Sequence, residues 1–290
     1  MPRIAANGIE LYYQSQGADD APTLLMIMGL GAQLTRWNRG LCELLVERGF
    51  RVLRFDNRDS GRSTRCVDLP RPDIGALLYG EPLAALPYSL ETMAADSVGL
   101  LDALGIEQAH LVGASMGAAI AQIIAATYPQ RALSLTSIMS TSGHPRLPPP
   151  TPAAVTALFA PLPPANDRDG VIANAIARHL PIASPGYPTP IGELQALFGD
   201  EYDRAYYPPG VARQLGAVLA GGDRRALLTT IDCPTVVLHG NDDPLLLPAC
   251  ANDVAEHIPN AQLRLIDGMG HDFPAALTMV FADAICAAAR

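Results

Sequence analysis

The sequence predicts an α/β fold: a mostly parallel central sheet with helices on both faces and an inserted helical lid. Three observations carry this reading. Short apolar runs alternate with amphipathic helical segments up to about residue 141 and again from about 229, the rhythm of a parallel sheet covered on both sides. The chain has 290 residues, 49% of them apolar and only 17% charged, enough for one large, well-buried domain carrying an insertion. Between the two alternating regions the texture changes, and residues 141–190 hold twelve of the 26 prolines.

In chain order, residues 9–15 read as an early strand, closed by Gly17 and the acidic turn Asp19-Asp20. Residues 23–28 are continuously apolar, as a strand buried on both faces must be, and end in Gly29-Leu30-Gly31. Residues 41–48 have helical spacing with Gly49 as the stop. Strand 50–55 runs into the polar turn Asp56-Asn57-Arg58-Asp59-Ser60-Gly61-Arg62-Ser63, whose charged residues are expected to form a structural ion-pair network. Residues 66–88 are Pro-rich and read as irregular. Residues 90–104 form an amphipathic helix capped by Gly105, and strand 109–112 leads into an Ala-rich helix that ends at Tyr128-Pro129. Strand 133–139 follows.

From 142 to 228 amphipathic segments (171–180, 191–198, 210–219 and 224–228) alternate with breakers, which suggests a helical lid. The core resumes with strand 235–238, helix 249–257, strand 262–266 and helix 277–289. The expected organisation is therefore core 1–141, lid 142–228 and core 229–290.

Composition narrows the function classes. A net charge of −9 argues against nucleic acid and against anionic membranes as partners. All 20 basic residues are arginine; without lysine, neither Schiff-base chemistry nor a Gly-Lys-Ser/Thr phosphate loop is available. The five cysteines (42, 66, 233, 250 and 286) are scattered and lack a Cys-x-x-Cys pair, so they read as free thiols in a reducing compartment rather than a disulfide or zinc framework. No signal-peptide core follows Met1, and no apolar run reaches about 18 residues. A soluble cytoplasmic protein without stable membrane insertion is expected, acting on a small molecule; assembly as a homodimer is left open.

The chemistry centres on Gly113-Ala114-Ser115-Met116-Gly117, which fits Gly-x-Ser-x-Gly between a strand and a helix. The sharp turn strains the serine and requires small residues two positions to either side. Its hydroxyl needs a base. Of six histidines, His110 lies at the wrong end of the elbow strand, His239 ends a strand, His257 sits in a helix, and His144 and His179 fall in the lid. His271, in the Gly-rich loop after the last strand, has both position and reach. An acid partner follows strand 235–238 in Asn241-Asp242-Asp243-Pro244; Asp243 is preferred and Asp242 is the fallback. Two backbone N–H groups are expected to form an oxyanion hole: Met116, after the nucleophile, and Leu30, in the loop after strand 23–28. Gly29 and Trp37 are candidate pocket residues, although a buried structural tryptophan is an equal alternative.

Together, Met28-Gly29-Leu30-Gly31, the 56–63 turn, the serine elbow, Asp242-Asp243-Pro244 and Gly268-Met269-Gly270-His271 resemble the α/β-hydrolase superfamily, most closely the aclacinomycin methylesterase-like serine hydrolases. The resemblance runs from about residue 8 to the end and is weakest across the lid. It implies the α/β-hydrolase fold, a triad of Ser115, Asp243 and His271, and oxyanion donors Leu30 and Met116. It implies no metal or organic cofactor. Met-Gly replaces the His-Gly with which many superfamily members begin the oxyanion loop, as in the methylesterase-like branch. The expected activity is that of a serine esterase working through an acyl-enzyme on an apolar or aromatic ester. The rivals are lactone or C–C bond hydrolysis, perhydrolysis or acyl transfer by the same triad, and a non-catalytic ligand-binding protein on the same fold.

Overall fold

The computed structural model describes residues 2–78 and 86–290. Its elements are, in order, β1 (Arg3–Ala6), β2 (Ile9–Gln16), β3 (Thr23–Ile27), α1 (Arg39–Glu47), β4 (Arg51–Phe55), α2 (Ile74–Leu78), α3 (Leu90–Ala103), β5 (Ala109–Ala114), α4 (Met116–Thr127) and β6 (Ala132–Ile138). There follow α5 (Pro152–Leu158), α6 (Arg168–His179), α7 (Ile191–Ala205), α8 (Pro208–Ala220) and α9 (Arg225–Leu228). The chain closes with β7 (Thr235–Gly240), α10 (Pro248–His257), β8 (Gln262–Ile266) and α11 (Thr278–Ala288).

The eight strands form one sheet in the order β1-β2-β4-β3-β5-β6-β7-β8. β1, β2 and β4 pair antiparallel, and every later neighbour is parallel. All five residues of β3 are buried. Leu25 and Ile27 face one core with α3, α4 and α10, while Leu24 and Met26 face the other with α1 and α11. This is why the strand reads as an unbroken apolar run instead of alternating. α3 starts at a capping box in which Ser89 and Thr92 exchange side-chain and backbone bonds.

Three elements depart from the sequence reading. β1 was not expected: only Ala6 of its four residues is buried, so it carries no hydrophobic pattern. The stretch 66–88 was expected to be irregular but contains α2; residues 79–85 of it lie outside the described residues. α5 lies in the Pro-rich stretch for which the sequence names no helix. Pro152 sits in the first turn, after a Thr151 cap that accepts from the Ala154 N–H, where a missing donor does no harm.

A smaller difference is that α7 continues seven residues past the expected end at 198. Gly199 lies against α6, where a Cβ would come 3.1 Å from Arg168 Nη2, so this glycine serves packing and is no stop signal. Residues between β6 and β7 leave the sheet altogether, and α6 and α7 pack around Ile172, Leu194 and Phe198. The chain after β3, β6 and β8 touches Ser115, and the loops after β4 and β7 brace those contacts.

Candidate active site

β5 ends at Ala114 and α4 begins at Met116, so the chain reverses at one residue. Ser115 makes that turn at φ 53° and ψ −119°, a conformation that costs a non-glycine residue about 1–3 kcal/mol. The crowding explains both flanking glycines. A Cβ on Gly113 would lie 2.3 Å from the Gly117 carbonyl oxygen, and one on Gly117 would lie 2.1 Å from that of Ile27. The turn is held by the Ser115 N–H donating to Ile138 O at 2.9 Å and by Ser140 Oγ donating to Ser115 O at 3.1 Å. Ser115 remains partly accessible while its neighbours are buried.

Ser115 Oγ lies 3.0 Å from His271 Nε2, and His271 Nδ1 lies 2.7 Å from Asp243 Oδ2. Asp243, preferred in the sequence, and Asp242, the fallback, meet different partners here. Asp243, 1% exposed, faces His271 and also accepts the N–H groups of Leu245 and Leu246 on Oδ1, each at 2.9 Å. Asp242 points away and accepts the Gly268 N–H at 2.7 Å, bracing the base of the histidine loop. Burial pushes the Asp243 carboxyl up, but the charge and hydrogen bond of His271, with His239 behind them, hold it below the usual carboxylate range. It is therefore an anion positioned to orient an imidazole and stabilise its charged form.

His239, set aside in the sequence because it ends a strand, stands beside this pair. Its Nε2 is 3.4 Å from Asp243 Oδ2 and 2.6 Å from Leu246 O. Burial lowers its pKa, so it is a neutral ring whose Nε2–H donates to the Leu246 carbonyl. His110 and His257 are elsewhere: His110 Nδ1 meets Ser134 Oγ at 2.9 Å, and His257 Nδ1 meets Asp253 O at 2.7 Å.

The segment after α6 clamps the histidine loop, a contact no local pattern announces. The His271 N–H donates to Ile182 O at 2.7 Å, and the Gly270 N–H donates to Ser184 Oγ at 2.9 Å. Ser184 Oγ in turn donates to the buried Asp272 carboxylate.

The Gly29-Leu30-Gly31 loop approaches the serine closely: a Cβ on Gly29 would lie 3.2 Å from Ser115 Cβ. The Leu30 N–H donates to no acceptor among the described residues, and the Met116 N–H, first in α4, is one of the donors a helix start leaves unpaired. Around them the loop is braced. Asn57 Nδ2 donates to Met28 O at 2.9 Å, the Gly31 N–H to Gln214 Oε1 at 2.8 Å, and the Leu34 N–H to Asp56 Oδ1 at 2.7 Å. Gln214, fully buried on α8, also donates to Arg58 O at 2.7 Å. Trp37 belongs to the core and not to a pocket: it is 0% exposed, with its ring 5.0 Å from that of Phe273.

The polar turn is the network the sequence suggested, with partners the sequence did not reveal. Arg58 makes a two-point pair with buried Asp96, at 2.6 Å for each bond. Asp56 meets Arg204 of α7 at 2.7 Å, and Asp59 meets Arg213 of α8 at 2.8 and 2.9 Å. Tyr88 adds its hydroxyl to Asp59 at 2.8 Å. Among the described residues no group of three or more potential metal ligands comes together, and no helix is long and apolar enough to cross a membrane.

The sequence model of the α/β-hydrolase fold family matches residues 22–183. The chain is similar to rhodomycin D methylesterase of Streptomyces peucetius, at 28% identity over 100% of this chain and 99% of that one. It is also 28% identical to a human serine hydrolase, over 97% of this chain and 82% of the relative. Among solved structures, the enol-lactonase of Burkholderia xenovorans superposes with a TM-score of 0.75 at 25% identity, covering 99% of each chain. A meta-cleavage product hydrolase of Pseudomonas fluorescens shares the fold, with a TM-score of 0.74 at 20% identity over 98% of this chain and 95% of its own.

Proposed function

The chain belongs to the α/β-hydrolase fold family, and on that premise we propose that it is a serine esterase that cleaves carboxylic esters through Ser115, His271 and Asp243. One observation carries the reading: the serine at the strained turn is 3.0 Å from an imidazole whose other nitrogen is 2.7 Å from a buried carboxylate. Ser115 Oγ attacks the ester carbonyl while His271 Nε2 takes its proton. The tetrahedral oxyanion accepts from the Leu30 and Met116 N–H groups, neither of which donates to another acceptor among the described residues. His271 returns the proton to the departing alcohol, leaving an acyl-serine, and then activates the water that releases the acid. Asp243 keeps Nδ1 protonated and offsets the imidazolium charge. His239 secures the neighbouring Leu246 carbonyl and takes no proton.

Residues 142–228 act in this reading as a cap that limits access to the acyl site; α5 to α9 lie between strands of the core, and the segment at 180–186 grips the histidine loop. Lactones are a second substrate class, favoured by the likeness to the enol-lactonase over the whole chain. A lactone needs the same attack and leaves its alcohol tethered to the acyl group.

The test is hydrolysis of p-nitrophenyl esters from acetate to laurate, with an aryl methyl ester and a simple lactone added, by wild type and Ser115→Ala in parallel. Turnover that disappears with the serine supports the proposal. Undiminished turnover in the variant, or a wild type that neither turns over nor takes a fluorophosphonate label, removes it in favour of a ligand-binding role.

A further inference from the structure

A cavity of about 200 Å³ lies among α5, α6, α7 and the loop after β7, with Arg36, Arg178, His179, Ile182, Phe198 and Leu245 in its lining. It abuts the acid and histidine arms of the site. The Leu245 N–H donates to Asp243 Oδ1 at 2.9 Å, and Ile182 O accepts the His271 N–H at 2.7 Å. His179 Nε2 stands 3.6 Å from Asp272 Oδ2, one residue beyond His271.

Its polar lining is positively charged. Arg178 gives Nε to Ala157 O at 3.0 Å and Nη2 to Leu158 O at 2.8 Å, while its Nη1 donates to no group among the described residues. Among those residues no carboxylate pairs with it, and burial draws its pKa down. Arg36 gives Nε and Nη2 to Glu201 and lies 4.9 Å above the Phe198 ring, with no partner for its Nη1 among the described residues. His179 is neutral near pH 7, because burial and then the Arg36 charge bring its pKa to about 4. Its Nε2 is buried without a hydrogen-bond partner. The rest of the lining is apolar.

An uncompensated guanidinium, a second one paired only to Glu201 and a neutral imidazole, set among apolar side chains, suit a planar anion. We propose that this cavity binds a carboxylate of the substrate, so that the ester cleaved at Ser115 belongs to a molecule that also carries a free acid, such as the half-ester of a dicarboxylic acid or a carboxyl-bearing lactone. The inference rests on the hydrolase reading above.

The test compares monomethyl esters of linear dicarboxylic acids, succinate to azelate, with methyl esters of monocarboxylic acids of equal length, by methanol release. Wild type, Arg178→Met and Arg178→Lys are assayed. Wild type is expected to favour the best half-ester over its neutral counterpart by about tenfold or more in kcat/KM, the size of one charge-assisted hydrogen bond. Arg178→Met brings that ratio close to unity, and Arg178→Lys keeps part of it. A structural defect lowers both substrates together and leaves the ratio alone. A wild-type preference for the neutral ester, or a ratio that Arg178→Met does not change, overturns the proposal.

Calorimetric titration of monomethyl adipate into Ser115→Ala reads the cavity without turnover: binding is expected, weakened about tenfold by adding Arg178→Met. Absence of binding at millimolar ligand overturns the proposal. The two readings fail separately. Serine-dependent turnover of neutral esters with no half-ester preference leaves the esterase and removes the carboxylate site; binding of monomethyl adipate without turnover of any ester does the reverse.

Discussion

Replacing Arg213 by methionine keeps most of the stem volume and deletes a charge from a pair whose side chains are 2% and 0% exposed. Asp59 is left buried with two partners, the Cys66 N–H and the Tyr88 hydroxyl, each at 2.8 Å. Breaking a buried pair from one side costs about 3–5 kcal/mol, and the two surviving bonds place Arg213→Met at the lower end, about 3 kcal/mol. In a chain of this size that lowers the melting temperature by about 5 °C at pH 7, followed by circular dichroism.

The pH dependence has a definite sign. Burial raises the Asp59 carboxyl, but the bonds from Arg213, Cys66 and Tyr88 hold it below its usual value in the wild type. Its contribution is complete above the unfolded carboxyl pKa of about 4 and is lost as the pH falls through the folded value. In Arg213→Met the stranded carboxyl takes up its proton at higher pH. The stability gap between the two proteins is therefore widest near neutrality and narrows in acid. Adding Asp59→Asn to Arg213→Met removes the stranded charge and recovers part of the loss. A melting temperature within about 2 °C of wild type, or a gap that widens on acidification, would refute the reasoning.

Other outcomes follow from the site. Ser115→Ala and His271→Ala each lower kcat for p-nitrophenyl ester hydrolysis by about ten-thousandfold or more. Asp243→Asn loses about as much, whereas Asp242→Asn, which only loosens the brace to Gly268, loses less than about tenfold; the reverse order would sink the acid assignment. Gln214→Ala strands the Gly31 N–H and the Arg58 carbonyl, at about 1–3 kcal/mol each. It lowers kcat more than it raises KM, because it slackens the Leu30 loop; an unchanged kcat in steady-state kinetics argues against that coupling. Gly117→Ala forces a Cβ to 2.1 Å from Ile27 O and yields protein that labels poorly with a fluorophosphonate, even where circular dichroism shows a folded chain.

The strand–elbow–helix unit was legible because its constraints are local: a one-residue reversal tolerates only small neighbours, and the chain prints them at 113 and 117. Chain order alone pointed to Asp242 or Asp243 and to His271. The sequence prefers Asp243 over Asp242, but what each carboxylate meets is visible only in the turn's geometry, since adjacent side chains there point in different directions. His239 was passed over because its part is played through a backbone carbonyl, which leaves no motif. The partners of Asp56 and Asp59 lie 148 and 154 residues downstream, and nothing local to either end announces the other. α5 lies in a Pro-rich stretch where the sequence names no helix, and proline signals a stop in mid-helix but a start in the first turn.

The cross-ties from the 56–63 turn to α7 and α8 bear on how freely this fold can exchange its insertion. Chain entropy is a weak barrier to a longer or shorter excursion between β6 and β7, because doubling a flexible loop costs only about 0.6 kcal/mol. Charge is the stronger one. Grafting a foreign excursion in place of α7 and α8 removes Arg204 and Arg213 and abandons two carboxylates that are at most 2% exposed. A working chimera would have to bring its own pair of cations to those points, or carry neutral residues at 56 and 59. In this molecule, residues between β6 and β7 can be exchanged piecewise more readily than the whole excursion can be replaced.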